Sequence, residues 1–184
     1  HSGHAAGTGV TLLAVGFQQI HAGDFDDDMR SIGAIAGLDA DGDGDLDLVM
    51  ATSDPDITIR LLLNDGHQMF AEVEDAALND AVSGWRIVLA VFDADGDGDP
   101  DVAAAIAGNR SRLFLNDGHS HFTLPDAGDF DDELNECGEL LPFDADGDGD
   151  LAVGRFSPQS NALFVNDGTG VFAQVDAVSG RRAQ

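Results

Sequence analysis

The stretch Leu38-Asp-Ala-Asp-Gly-Asp-Gly-Asp-Leu-Asp47 occurs twice more in this chain with little change. It returns as Phe92-Asp-Ala-Asp-Gly-Asp-Gly-Asp-Pro-Asp101 and, in a shorter form, as Phe143-Asp-Ala-Asp-Gly-Asp-Gly-Asp150. The first aspartates lie at positions 39, 93 and 144, so the steps are 54 and 51 residues. Self-similarity at a nearly constant period of this length indicates a repeat architecture, in which each unit is one supersecondary motif.

A second marker follows the first in every unit. Asn-Asp-Gly occurs at 64–66, 116–118 and 166–168, each time after an apolar stretch and before a phenylalanine at 70, 122 or 172. Apolar residues between the markers alternate with the two-residue period of a strand, and no window has helical spacing with caps. Each unit is therefore predicted to hold four short strands, the pattern of a β-propeller blade. A sandwich of unrelated hairpins is the alternative, but it would not need a period.

The markers also predict the organisation of the chain. Residues 1–16 are an N-terminal segment of tag-like residues plus one strand, residues 17–176 are all-β propeller blades, and residues 177–184 start a further repeat or form a tail. A propeller needs about four to eight blades, whereas this chain has three full units and a partial unit at each end. Three outcomes stay open: a compact ring of about four blades, a homo-oligomer that completes a larger ring, or one part of a longer protein. Self-association is favoured, because the partial units could complement each other.

The composition excludes several classes of partner. The 184 residues include 35 Asp or Glu and only 8 basic residues, so the formal net charge is −27. Phosphate recognition needs a basic surface, which argues against nucleic acid and against anionic lipid. Hydrophobic residues still make up 43% of the chain, enough to build a core, and no apolar run is long enough for membrane insertion.

The aspartate loops have the spacing of a calcium site. Calcium takes six to eight oxygen ligands, and a known loop solution uses side chains at positions one, three and five, a backbone carbonyl at seven and glycine at six. In an all-aspartate loop the ninth residue can close the ligand shell. Magnesium is disfavoured because it retains waters in octahedral geometry, and a solvated acidic turn is disfavoured by three loops in register. The predicted metal ligands are Asp39, Asp41, Asp43, Asp45 and Asp47 in the first loop, Asp93, Asp95, Asp97, Asp99 and Asp101 in the second, and Asp144, Asp146, Asp148 and Asp150 in the third.

The third loop departs from this spacing. Counting from Asp144 places Ala152 at the ninth position, and counting back from Asp150 places Pro142 at the first. Phe143 is only seven residues from Asp150, whereas Leu38 is nine residues from Asp47, so two residues are missing. About three calcium ions are therefore predicted, with the third bound more weakly or with additional water.

The pattern Asp-x-Asp-Gly-Asp-Gly-x-x-Asp followed by an apolar strand, as in Asp39 to Met50, resembles the FG-GAP and VCBS repeats. These repeats build the propellers of integrin α-subunits, integrin-like fungal lectins and many secreted bacterial proteins. The resemblance covers roughly residues 17–176. It implies a calcium-binding β-propeller, calcium on the aspartates named above, and an extracellular or secreted location. It does not select an activity, because one fold hosts adhesion modules, lectins and accessory segments of enzymes.

The expected role is non-enzymatic binding or adhesion, with a protein or a carbohydrate as ligand. The loop carboxylates are assigned to calcium. The chain has no Gly-x-Ser-x-Gly elbow and no His-x-x-x-His pair for zinc. Trp85 and Arg86, the only tryptophan next to a cation, are the candidate ligand residues. Their alternative is packing at a strand end. A lectin, or a non-catalytic segment of a larger secreted enzyme, is the alternative to an adhesion module.

Overall fold

The structure is a computed structural model that describes residues 22–25, 31–52, 58–79, 84, 86–131, 137–156 and 160–175. Residues 1–16, residues 177–184 and Trp85 lie outside this described part. Twelve strands are described: β1 (Ile32–Leu38), β2 (Asp47–Thr52), β3 (Ile59–Asn64), β4 (Phe70–Val73), β5 (Arg86–Phe92), β6 (Asp101–Ala107), β7 (Arg112–Asn116), β8 (Phe122–Thr123), β9 (Cys137–Phe143), β10 (Asp150–Arg155), β11 (Ala162–Asn166) and β12 (Phe172–Val175). Asp129–Asp131 form one turn of 3₁₀ helix.

The twelve strands form three four-stranded antiparallel sheets, one for each sequence repeat. Sheet 1 has the order β1-β2-β3-β4, sheet 2 the order β5-β6-β7-β8, and sheet 3 the order β9-β10-β11-β12. Within each sheet, every strand is therefore joined to the next by a hairpin connection, as the period-two pattern and the glycine-rich turns predict. The all-β class and the four strands per repeat are confirmed. No helix in the described ranges has the length and apolarity that a membrane crossing requires.

Sheet 2 lies between the other two sheets and supplies both cores. One of its faces packs on sheet 1 through side chains such as Ile106 and Phe114, and the opposite face packs on sheet 3 through Ala103 and Leu113. Strand β6 is buried along its whole length. Its run of small residues, Ala103 to Ala105, lets neighbouring layers approach from both sides while apolar surface is removed from water.

The outer strands of sheets 1 and 3 are covered by a short segment that precedes each sheet in sequence. Gly23 forms a parallel bridge with Phe70, and Gly128 forms the same bridge with Phe172. A Cβ atom on Gly128 would lie 2.6 Å from the carbonyl oxygen of Phe172, and the φ angle of Gly128 is +65°, so glycine is required there. Covering part of an edge strand in this way removes free backbone groups to which another chain could add.

Candidate metal sites

Each aspartate loop joins the first two strands of its sheet and closes on a buried carboxylate. Leu38 pairs with Asp47 across the first hairpin, and Phe92 pairs with Asp101 across the second. The Asp47 carboxylate accepts hydrogen bonds from the backbone N–H of Ala40 at 2.9 Å and of Asn64 at 2.8 Å. It therefore ties the start of its own loop to the end of β3. Asp47 and Asp101 are both fully buried.

The same two bonds recur in the other sheets. The carboxylate of Asp101 accepts from Ala94 at 2.7 Å and from Asn116 at 2.8 Å. In sheet 3 the carboxylate of Asp150 accepts from the backbone N–H of Ala145 and of Asn166. Hydrogen bonds between a carboxylate and backbone N–H groups are charge-assisted, so these three side chains fix the shape of the loops.

This register resolves the alignment of the third loop. Phe143 pairs with Asp150 as Leu38 pairs with Asp47, so Asp150 occupies the closing position. Counting residues in the sequence produced two alignments of this loop, one with Ala152 at the ninth position and one with Pro142 at the first. Both alignments are wrong, because strand pairing, and not the number of loop residues, determines which residue closes the loop.

The first aspartate of a loop holds the backbone of that loop. The two carboxylate oxygens of Asp39 accept from the N–H groups of Gly42 at 2.9 Å and Gly44 at 3.0 Å. In the second loop, Asp93 makes the same pair of bonds. Gly44 has a φ of +92° with open space around it, so the requirement for glycine there is conformational and not a matter of room.

Carboxylate oxygens gather in all three loops. In each loop, one oxygen from each of three aspartates lies within 4.8 Å of the others. The three sets are Asp39, Asp41 and Asp43; Asp93, Asp95 and Asp101; and Asp144, Asp146 and Asp148. These sets do not include Asp45, Asp47, Asp97, Asp99 or Asp150, so a role of these five as metal ligands stays a prediction.

The electrostatics of the clusters are unfavourable for charged carboxylates on their own. Burial raises the pKa of Asp101 to about 7, and burial also raises the pKa of Asp47 and of Asp95. A hydrogen bond that protonated Asp148 donates to Asp146, together with burial, raises the pKa of Asp148 to about 6. One oxygen of Asp148 is buried with no hydrogen-bond partner among the described residues.

These observations fit a hard divalent cation. The donor set consists of oxygen atoms only, the carboxylates are close together, and several are desolvated without a compensating positive charge. Calcium prefers such ligands, and its charge would offset both the repulsion and the desolvation.

Asn-Asp-Gly, the second marker, connects neighbouring sheets at these loops. The side-chain amide of Asn116 in sheet 2 donates to the carbonyl oxygen of Ala40 in the first loop at 3.1 Å. The amide of Asn166 in sheet 3 donates to Ala94 in the second loop at 2.6 Å. Sequence reasoning treated these asparagines only as turn residues. Their constant position after every aspartate loop was the available signal.

The glycine of that marker is also explained by the loop. The carboxylate of Asp45 packs directly on Gly66, and the carboxylate of Asp99 packs on Gly118, where a Cβ atom would overlap with it. The seventh position of each full loop therefore contacts the following hairpin. In the third loop Asp148 makes this contact, because its Cβ atom lies 3.5 Å from the place that a Cβ atom on Gly168 would take.

Of the two candidate ligand residues, Arg86 lies away from the aspartate loops. Trp85 is outside the described residues. Arg86 begins β5, whereas the second loop follows the end of this strand. Its terminal nitrogen donates to the carbonyl oxygen of Gly138 at 2.9 Å, and its guanidinium lies 5.1 Å from the ring centre of Phe156. Arg86 thus contacts sheet 3 as well as its own sheet.

Comparisons with known proteins agree with the repeat and the fold. No curated protein sequence matches the chain. Among solved structures, the chain is similar to one from a study of the specific recognition of non-reducing terminal N-acetylglucosamine by an Agrocybe aegerita lectin. The identity is 22%, the TM-score is 0.50, and the match covers 76% of this chain and 36% of that one, so the match spans about a third of the lectin. Residues 39–104 match the model of the FG-GAP-like repeat, in agreement with the loop motif.

Proposed function

We propose that this chain is a calcium-stabilised β-propeller segment that works as a non-enzymatic binding module outside the cell. The observation that carries the proposal is the repeated aspartate cluster: three loops at the same place in their sheets each bring three carboxylates together. Extracellular modules commonly bind calcium with dissociation constants of roughly 10⁻⁴–10⁻³ M, which suits exposed loops in calcium-rich surroundings.

Calcium would be held by Asp39, Asp41 and Asp43 in the first loop, by Asp93, Asp95 and Asp101 in the second, and by Asp144, Asp146 and Asp148 in the third. Its contribution would be to neutralise carboxylates that repel one another and to fix the loop. Because Ala40 in the first loop also accepts the Asn116 amide from the next sheet, a fixed loop would hold two sheets together. The proposed propeller extends this contact from sheet to sheet around a ring.

Thermal unfolding with calcium and with EDTA tests the metal. A ligand present at about 100 times its dissociation constant stabilises the folded state by about 2.7 kcal/mol for each site. We expect calcium to raise the melting temperature in proportion to the number of sites filled, with a much smaller effect of magnesium. A melting temperature that EDTA leaves unchanged would refute the proposal.

A glycan is the first ligand class to test. The structural similarity to a lectin supports it, although similarity at this identity concerns the fold. A glycan array in calcium, with the chain and with Trp85→Ala, separates the two ligand classes. Binding that is lost in Trp85→Ala supports carbohydrate recognition at that residue. An empty array favours a protein ligand.

Self-association would complete the ring through the open face of sheet 3. Leu141 is 58% exposed and Leu163 is 38% exposed on this face. The residues at the same repeat positions in sheet 2, Ala90 and Leu113, are 5% and 0% exposed because sheet 3 covers them. The open face therefore has the composition of a surface that another sheet covers. Light scattering on the unaltered chain and on Leu163→Asp measures whether this face mediates self-association. A strictly monomeric mass for the unaltered chain would refute the homo-oligomer.

A further inference from the structure

A pocket in sheet 3 lies at the opposite end of the strands from the aspartate loops. It has a volume of about 230 Å³ and is lined by Gly138, Glu139, Gly154, Arg155 and Phe156. Arg86 adjoins it, since this side chain bonds Gly138 and covers one side of the Phe156 ring. This volume is below the roughly 300–1,000 Å³ of sites for drug-sized ligands, so the pocket suits one small unit.

One nitrogen atom in each of two guanidinium groups in this region is buried without a hydrogen-bond partner in the described part of the chain. The Nε atoms of Arg86 and Arg155 are both buried, and neither has a hydrogen-bond partner among the described residues. Neither arginine forms an ion pair with a carboxylate of the described part of the chain. A buried donor on a charged group that is left without an acceptor costs free energy, and so favours a ligand that brings an acceptor.

The positive charges of Arg86 and Arg155 both act on the thiol of Cys137. Burial raises the pKa of the Cys137 thiol, while the charges of Arg86 and Arg155 both act in the opposite direction. Both arginines are therefore close to Cys137, at the start of β9. A pair of cations in a chain with a net charge of −27 is an unusual local arrangement.

The repeats provide an internal control for these arginines. Arg155 lies five residues after Asp150, and the residues five after Asp47 and Asp101 are Thr52 and Ile106. Arg86 lies six residues before Phe92, where the other repeats have Ile32 and Cys137. The sheet does not need arginine at either position, because the same fold is built with other residues there.

The backbone at the pocket is irregular, as it is at the same repeat position of sheet 1, where the pairing skips Gly33 between Ile32 and Ala34. The pairing of β9 with β10 skips Gly138: Gly154 lies opposite Glu139, and Arg155 lies opposite Cys137. Such an irregularity frees backbone groups from the ladder and is frequent next to binding sites. Phe156 adds an aromatic ring that is 45% exposed. This aromatic face suits the C–H face of a sugar, while the carbonyl oxygen of the skipped Gly138 already accepts from Arg86.

We propose that this pocket binds a sugar residue that carries a carboxylate, such as a uronic acid, with Arg86 and Arg155 facing the carboxylate. Arginine offers a planar set of donors that matches a carboxylate, which makes it the preferred residue for this purpose. The proposal rests on the proposed role as a binding module and names the ligand class of that module.

Isothermal titration in calcium with three probes tests the inference. D-glucuronate is the expected ligand. D-glucose is the control sugar without the carboxylate, and N-acetylaspartate is the control carboxylate without a sugar. We expect glucuronate to bind at least about tenfold more tightly than either, because removal of a charge-assisted hydrogen bond has an effect of this size. Binding of glucose as tight as that of glucuronate would refute recognition of the carboxylate. Binding of N-acetylaspartate as tight as that of glucuronate would refute recognition of the sugar ring.

Three variants locate the site. Arg86→Gln and Arg155→Gln should each weaken glucuronate binding at least about tenfold, whereas Arg110→Gln removes the same charge from an exposed position and should not. Unchanged binding in the first two variants would place the ligand elsewhere. A melting curve in calcium checks that each variant folds, and if one does not, the three probes on the unaltered chain still decide. A neutral glycan on the array with no glucuronate binding would refute this inference and leave the proposed function intact.

Discussion

Substitution of Asp101 by asparagine separates the structural role of the closing carboxylate from its role toward calcium. The side chain is fully buried, and its two oxygens accept the backbone N–H groups of Ala94 and Asn116. Asparagine keeps one acceptor and replaces the other with a donor. One buried N–H therefore loses its acceptor, which costs about 1–3 kcal/mol of unfolding free energy.

In EDTA this loss is partly offset. Because burial raises the pKa of Asp101 to about 7, the wild-type carboxyl group is about half protonated at neutral pH. A neutral side chain then removes an unfavourable buried charge. With calcium the charge is favourable, and the variant also loses the stabilisation from that site, about 2.7 kcal/mol at 100 times the dissociation constant.

The expected result is that Asp101→Asn costs about 2–3 kcal/mol more in calcium than in EDTA. For a chain of this size, this corresponds to an additional drop of roughly 4–12 °C in melting temperature. Urea unfolding at neutral pH under both conditions measures the difference. Glu74→Gln, which removes a charge from an exposed position, is the control and should cost the same in both. Equal costs of Asp101→Asn with and without calcium would show that this carboxylate does not act on a metal.

Three further predictions concern pH, the short loop and the sheet junction. In EDTA, the contribution of Asp101 to folding stability is fully present below about pH 4 and is lost as the pH rises through 7, because the folded chain retains a proton that the unfolded chain releases. In calcium the melting temperature should instead fall on acidification, since protons compete with the metal for the carboxylates. Melting curves from acid to neutral pH measure both trends. Insertion of Asp-Leu between Gly149 and Asp150 restores the length of the first loop and should raise the calcium affinity of the third site about tenfold in a calorimetric titration, whereas unchanged affinity would mean that loop length does not limit binding. Asn116→Ala should cost about 1–3 kcal/mol in urea unfolding because it breaks a buried bond between sheets, and Asn64→Ala, which breaks an exposed bond within sheet 1, should cost clearly less.

The strands and the aspartate loops were predictable because their signals are local. Alternation at period two, as in Ile59 to Leu63, and turn residues such as Asn64-Asp65-Gly66 depend only on neighbours in sequence. Glycines at the positive φ angles of the loops are equally local. A repeated unit strengthens each signal, because three copies of a weak pattern agree.

The contacts between sheets were not predictable in the same way. The Asn116 amide and its acceptor Ala40 are 76 residues apart, and nothing near either residue indicates the other. The alignment of the third loop failed for the same reason. Counting within the loop gives two frames, and only the pairing of Phe143 with Asp150 across the hairpin selects one.

The position of the loops changes how the acidic composition is understood. Fourteen of the 35 acidic residues lie in the three loops, and three calcium ions would still leave a net charge of about −21. Bound calcium would thus account for where the acidic residues are concentrated and not for their excess. Because Asn116 and Ser120 of sheet 2 both bond Ala40 in the first loop, repulsion within that loop acts directly on the junction with the next sheet. Removal of calcium should therefore loosen contacts between sheets before it disrupts the hairpins within them.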